Sequence, residues 1–470
     1  MDRFLPAFRT KIWLTTAVTA VGYLLIRLWF PLPPYFNRVP QLDLRAFSPS
    51  LSAGFGYGLL LLILFGVYWQ TFQWARQHMV APAFIVGSTL FFGLLLLNSY
   101  PINATDVYRY VIRGRVAAVY GQSQFVVPPD AFPNDRFAHF AGEWSGETSP
   151  YGPVWEGIAT AVAAVSQDNL HLGLLIFKGL GLLLHLGTGV VLWAIFADRS
   201  PPQRAAYMLL WCWNPALLLT FVVNAHNDSL MLFWLMLGVL LIRSGRHTPG
   251  FLIMALAPLT KPIALVTLPF YFIAILRRRP NWRARRQFTA VSISGSLLLA
   301  WLAFLPFGSP FDLFNRLLRE AIYGAGFSFM ALWLLILQRL KLGGVLLSIQ
   351  IVQGISVLLI IWLLWRAVNG RSSQRGIIAG FAVYFVQALN FRLWYATWIF
   401  PWALMDEVDA NRPTYRLRVA LWFLVTTQLS PLIYGHLRTY ALNGDHLLAH
   451  IIGVPFTFLL PFILAWKNGR

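Results

Sequence analysis

The sequence predicts an all-α polytopic membrane protein with about twelve transmembrane helices, a re-entrant hairpin and one long extracytoplasmic loop. Three observations carry that prediction. Of 470 residues, 58% are hydrophobic and 11% charged, with a mean hydropathy of +0.61, whereas a soluble domain carries roughly 25% charged residues. Apolar runs recur from end to end, parted by short basic connectors. Twenty Trp and 17 Tyr supply side chains suited to two membrane–water interfaces. The formal charge of +20 resides mostly in those connectors, which is how the positive-inside rule sets topology, so no nucleic-acid partner is implied. A lone cysteine, Cys212, in an apolar run excludes disulfide frameworks and cysteine metal sites.

Taken in order, spans are expected at about 12–30, 55–72, 80–98, 172–197, 205–223, 229–242, 287–306, 345–366, 376–390, 391–405, 418–434 and 447–466. Arg3, Arg9 and Lys11 precede the first, which is expected to be a retained signal anchor. Cytoplasmic N- and C-termini put Arg76, Arg199, Arg204, Arg243, Arg246, the Arg277–Arg286 cluster, Arg366, Arg371, Arg375, Arg412, Arg416, Arg418, Lys467 and Arg470 inside. The stretch 250–276 then lies between two cytoplasmic connectors and is too short to cross twice at about 1.5 Å per residue. Pro258 and Pro262 flank Leu259, Thr260 and Lys261, which predicts a re-entrant hairpin with a broken tip. Lys261 is expected about 10 Å from the cytoplasmic side, short of any outer site.

Residues 99–171 form the one long polar segment and hold seven of the 17 acidic residues. A loop of that length is usually functional when ordered. Its opening predicts a helix capped by Asn103 or Thr105 and stopped at Gly121. On it Asp106, Arg109, Tyr110 and Arg113 share a face. Further along, Ser149-Pro-Tyr-Gly-Pro-Val-Trp-Glu156 predicts a rigid turn that offers Tyr151 and Trp155 to a sugar or an interface. Lys178 lies two turns inside a span, with His185 on the same face, a place where ionisable residues are functional by default. Position alone makes Lys178 and the interfacial Arg392, beside Trp394 and Tyr395, candidate phosphate ligands. His226, Asn227 and Asp228 close a short outer connector.

Asp-Val-Tyr-Arg-Tyr-(x)3-Gly-Arg at 106–115, followed by Ser-Pro-Tyr-Gly-Pro-Val-Trp, resembles bacterial GT-C glycosyltransferases, in particular the polyprenol-phosphate-mannose-dependent mannosyltransferases. Asn224-Ala-His-Asn-Asp-Ser-Leu-Met231, Leu259-Thr-Lys-Pro262 and Leu393-Trp-Tyr-(x)5-Pro401 extend the resemblance over roughly residues 95–405. It implies a GT-C-like fold in the plasma membrane, with an extracytoplasmic active site. It also implies inverting transfer of a sugar, mannose by analogy, from a polyprenyl-phosphate lipid to a glycan or lipid-linked acceptor. Asp106 is the implied catalytic base. Donor phosphate binding falls to Lys178, Arg392, Tyr395, His226 and Arg109, and the acceptor or sugar to Tyr110, Tyr151, Trp155 and Asp228. No cofactor is implied and no metal is indicated, since Asp106 lacks the neighbouring acid of an Asp-x-Asp pair. Two alternatives stay open. Arg109, Arg113 and Arg115 fit a polyprenyl-diphosphate-dependent glycan polymerase or ligase, and the broken 250–276 segment fits a lipid or solute transporter.

Reporter fusions test the topology. Fusions after residues 78, 200 and 282 are expected to read cytoplasmic, and fusions near 135 and 440 external. An external reading at 282 reverses the order of every later segment.

Overall fold

The structure, a computed structural model, describes residues 5–320, 326–406 and 413–467. Arg3, Arg412 and Arg470 of the topology argument lie outside the described residues. Among the described residues all regular elements are helical, with an isolated β-bridge between Pro31 and Ser99.

Among the described residues seven helices are long and apolar enough to cross a membrane, and the chain is a multi-pass membrane protein. They are Phe8–Trp29, Leu51–Ala75, Leu170–Ile195, Trp282–Phe304, Val345–Val368, Tyr415–Tyr440 and His446–Lys467. Pro201–Cys212 and Pro215–Val223 form a further pair bent by 43°. The bend has a local cause: Pro215 lacks an N–H, and the Asn214 side chain caps the N–H groups of Ala216 and Leu217. The spans expected at 80–98, 229–242 and 376–390 fall on helices of 16, 16 and 15 residues. These are shorter than the roughly 20 residues of a perpendicular crossing. The one expected at 391–405 is a 3-10 stretch, Leu393–Trp398, followed by Phe400–Met405.

The chain divides into two compact units. One gathers the residues up to Pro49 with Gly56–Pro262 and Leu299–Leu313, and the other Ser50–Phe55, Ile263–Leu298 and the residues from Phe314 on. In the first unit the helices run α1 (Leu5–Trp29), α2 (Leu44–Phe47), α3 (Leu51–Ala75), α4 (Pro82–Leu97), α5 (Asp106–Ala118), α6 (Pro153–Ser166), α7 (Leu170–Ile195), α8 (Pro201–Cys212), α9 (Pro215–Leu218), α10 (Asp228–Arg243) and α11 (His247–Met254).

Segment 99–171 carries two α-helices. The first helix expected there is present as α5, with Thr105 at its N-cap and Gly121 in the left-handed region just past its end (φ 64°). The expected rigid turn at 149–156 instead leads into the 14-residue α6, with Pro153 in its first turn. Trp155 (2% exposed) packs edge-on against Tyr110 on α5 and near Phe177 on α7. That apolar face holds the two polar-segment helices on the bundle.

Helices α10 and α11 approach closely where Gly238 meets Gly250. A Cβ on Gly238 would stand 2.7 Å from the Gly250 carbonyl oxygen, so only glycine admits the crossing. The chain thereby returns along α10, and Lys261 arrives beside Asp228, the first residue of α10. The expected shallow placement of Lys261 is corrected: the tip extends as far as the start of α10, because α11 is succeeded by further turns rather than reversing.

Candidate active site

Asp106 is the first residue of α5, where the helix dipole favours an anion. It is buried (5% exposed), and its Oδ1 accepts hydrogen bonds from Arg109 Nη1 at 3.0 Å and from the Tyr151 hydroxyl at 3.2 Å. Arg109 also lies over the Trp144 ring, 4.8 Å from its centroid. Tyr151 is held in turn by its neighbours: its ring meets Tyr110 edge-on at 5.4 Å, and Arg113 stands 5.8 Å from its centroid.

Arg113 and Glu156 are both buried as well. Arg113 reaches the Thr148 carbonyl at 3.4 Å and interacts with Glu156, whose Oε1 accepts the Ser149 hydroxyl hydrogen bond. Burial pushes the Glu156 carboxyl above its usual range, against the pull of Arg113 and Ser149. Ser149 Oγ also accepts from the Tyr151 backbone N–H at 3.1 Å. Glu156 therefore holds Ser149, two residues before the tyrosine that touches Asp106. Sequence reasoning gave Glu156 no role, since nothing in a linear pattern distinguishes it from the other acids of the segment.

The tip of segment 250–276 completes the cluster. Gly152 and Val154 donate backbone N–H groups to the Thr260 and Leu259 carbonyls, both at 2.9 Å. Lys261 Nζ then bonds both oxygens of Asp228, at 2.9 and 2.8 Å, and lies 5.9 Å from the centroid of Tyr151. His226 Nδ1 is 3.9 Å from Asp228 Oδ2. Burial first of all brings the His226 pKa down to about 4, with Asp106, Asp228, Lys261 and Arg109 all acting on the ring as well. Asp106, Arg109, Tyr151, Asp228, His226 and Lys261 thus form one charged cluster, walled by the buried rings of Tyr110 and Trp155. Beside it the Asn227 amide is fully buried, and neither its Nδ2 nor its Oδ1 makes a hydrogen bond.

The other expected site residues have partners of their own. Lys178 is fully buried in α7 and donates to the carbonyls of Ser99, at 2.9 Å, and Val223. Its ammonium is thus spent on backbone next to the 224–228 connector, because an uncompensated charge inside the bundle needs acceptors. Its partner in the sequence pattern, His185, bonds the Cys212 carbonyl at 3.0 Å. Arg392 and Tyr395 belong to the second unit, where Arg392 precedes the 3-10 stretch and Tyr395 stacks on Trp398 at 4.0 Å. Arg115 is engaged by Asp135 and Asp168. Burial works against the Asp135 carboxyl, but Arg115, the Phe137 N–H and the Tyr120 hydroxyl hold it below its usual range.

A helical membrane bundle with acids and cations gathered at the ends of its helices defines the class. Residues 34–277 match the alpha-(1->6)-mannopyranosyltransferase N-terminal domain, and the chain belongs to that family, the MptA_B family. It is 27% identical over 258 residues to alpha-(1->6)-mannopyranosyltransferase A of Mycobacterium tuberculosis, covering 52% of this chain and 49% of the relative. It is 28% identical over 226 residues to alpha-(1->6)-mannopyranosyltransferase B of Corynebacterium glutamicum, covering 44% of this chain and 37% of the relative. The matched part spans about half or less of each relative's length. Asp106, Tyr151, Asp228 and Lys261 all fall inside the family match.

Two outcomes follow from this geometry. A Cβ on Gly152 would meet the Leu259 carbonyl oxygen at 2.1 Å, and backbone cannot step aside, whereas one on Gly157 meets nothing within 4 Å. Gly152→Ala is expected to cost about 1–3 kcal/mol, read as a lowered thermal midpoint, with Gly157→Ala at or above wild type. For His226 the folded pKa is depressed from 6.5 to about 4, so protonation favours the unfolded chain. Its contribution is complete above pH 6.5 and is lost as pH falls toward 4, roughly 3 kcal/mol in all. Thermal midpoints across that window should fall less steeply in His226→Gln than in wild type.

Proposed function

We propose that this protein is a membrane mannosyltransferase that takes a mannosyl group from a polyprenyl-phosphate lipid and passes it, with inversion, to a hydroxyl of a glycan or lipid-linked acceptor. The topology in this reading has about twelve crossings, the 250–276 hairpin entering the bundle, and the site on the extracytoplasmic side of the plasma membrane. The observation that carries the proposal is the buried carboxylate of Asp106, inside the family-matched segment, held by Arg109 and Tyr151 next to a second cation.

The chemistry follows from that arrangement. Asp106 accepts the proton of the acceptor hydroxyl as its oxygen attacks the anomeric carbon. The bond from that carbon to the phosphate oxygen breaks, and the polyprenyl phosphate departs with the electron pair. Arg109 offers charge, and His226 a hydrogen bond, to the departing phosphate. Tyr110, Tyr151, Trp155 and Asp228 form the wall against which the acceptor and sugar are held. Lys178 supports the site by fixing the Ser99 and Val223 carbonyls that border it. Arg392 and Tyr395 stay in the proposal as donor-phosphate ligands by their place in the sequence. No metal ion is part of this reading. Arg115 is already bound by two carboxylates, which takes one arginine from the diphosphate-dependent alternative.

Asp106→Asn keeps shape and hydrogen bonding but removes the basic lone pair. Mannosyl transfer from polyprenyl-phosphate mannose in nanodiscs is expected to fall by roughly 10²–10⁴-fold, the usual worth of a positioned base, while donor binding stays near wild type. A transfer rate close to wild type would move the base to another acid, Asp228 first.

A further inference from the structure

Two cations flank the cluster, and they are bound differently. Arg109 is tied to Asp106, the proposed base, so it meets the departing phosphate while still holding that carboxylate. Lys261 is tied to Asp228 instead. The Lys261 side chain retains 11% exposure, while Asp228 has none, so the lysine is the member of the pair that meets solvent. A lysine head is a compact charge on a flexible stem with three donors, a type suited to exchanging one anion for another. Its backbone does not move with it: the Leu259 and Thr260 carbonyls are pinned by Val154 and Gly152, next to the tyrosine that touches Asp106. Asp228 keeps support when the ammonium turns away, because it begins α10, where the dipole favours a carboxylate, and His226 stands 3.9 Å off.

We infer that Lys261 is the cation that receives the phosphate of the polyprenyl-phosphate donor, and that Asp228 holds it as an internal stand-in anion until the lipid binds. This rests on the donor class proposed above. Asp228 and the phosphate compete for one ammonium, so the two partners of the ion pair have opposite effects on lipid binding.

The test uses full-length protein in nanodiscs and an undecaprenyl monophosphate probe. Lys261→Met is expected to weaken binding at least tenfold, and Asp228→Asn to tighten it threefold or more. Either single change unsettles a buried pair, so Asp228→Asn with Lys261→Met is measured too. The double variant buries no orphaned charge and is expected to bind as weakly as Lys261→Met. Wild-type binding by the double variant overturns the inference, as does Asp228→Asn weakening binding as much as Lys261→Met. Wild-type protein that binds no polyprenyl phosphate overturns the donor reading itself. Wild-type protein that binds it, beside variants that bind equally well, overturns only the role of Lys261.

Discussion

An ionised group taken out of water must meet an opposite charge or enough hydrogen bonds, or it does not stay ionised. In the first unit that requirement joins segments far apart in the chain. Asp106 is met by Arg109 and Tyr151, and Asp228 by Lys261, while Glu156, whose carboxyl burial pushes up, takes a hydrogen bond from Ser149. Arg109 is a local partner, but Tyr151 lies 45 residues from Asp106 and Lys261 33 from Asp228, so these contacts fix where α5, the Tyr151 turn, α10 and the 259–261 tip meet. Breaking one member of a buried pair leaves the other uncompensated, which costs far more than the pair's own net worth. The polar geometry of the cluster is therefore as strongly determined as an apolar core.

Backbone pairing adds a second tie. The Gly152 and Val154 N–H groups and the Thr260 and Leu259 carbonyls satisfy one another, which a segment inside a bundle needs as much as a strand in a sheet does. Glycine at 152 admits that approach, and the prolines on either side of Leu259-Thr260-Lys261 prevent the tip from closing into continuous helix. A broken segment in a membrane bundle is tolerated where protein rather than lipid surrounds it. Here what surrounds it is the Tyr151 loop.

How much of this was legible in the sequence depends on the range of the interaction. The α5 helix, its Thr105 start and the common face of Asp106, Arg109, Tyr110 and Arg113 were readable, because capping and the 3.6-residue repeat are local. Of the candidate site, Asp106, Arg109, Tyr110, Tyr151, Trp155, His226 and Asp228 fall together. Lys261 was placed too shallow, since a depth counted from the nearest connector ignores turns that extend the chain without helical rise. Lys178 was noticed for the right reason, a cation inside a span, but a linear pattern does not show that its acceptors are carbonyls 79 and 45 residues away. Helix α6 was missed because its proline-rich start reads as a turn, although Pro153 sits where a helix accepts proline.

The charge balance of the cluster bears on how it would engage a lipid. Two carboxylates, Asp106 and Asp228, face two cations, Arg109 and Lys261, around an imidazole that is neutral at ordinary pH. A site that is already internally neutral exerts little net attraction on an anionic headgroup at a distance. Specific recognition then comes at short range, from hydrogen-bond donors released by one anion and accepted by another, and from apolar surface meeting the lipid chain. Such a site holds its cations in register without a bound ligand, because each rests on a carboxylate rather than swinging in solvent. For the proposed donor, that ordering would be complete before the lipid arrives, which would lower the entropic cost of binding. The buried pairs that secure the fold are in this sense the same groups that preorganise the site.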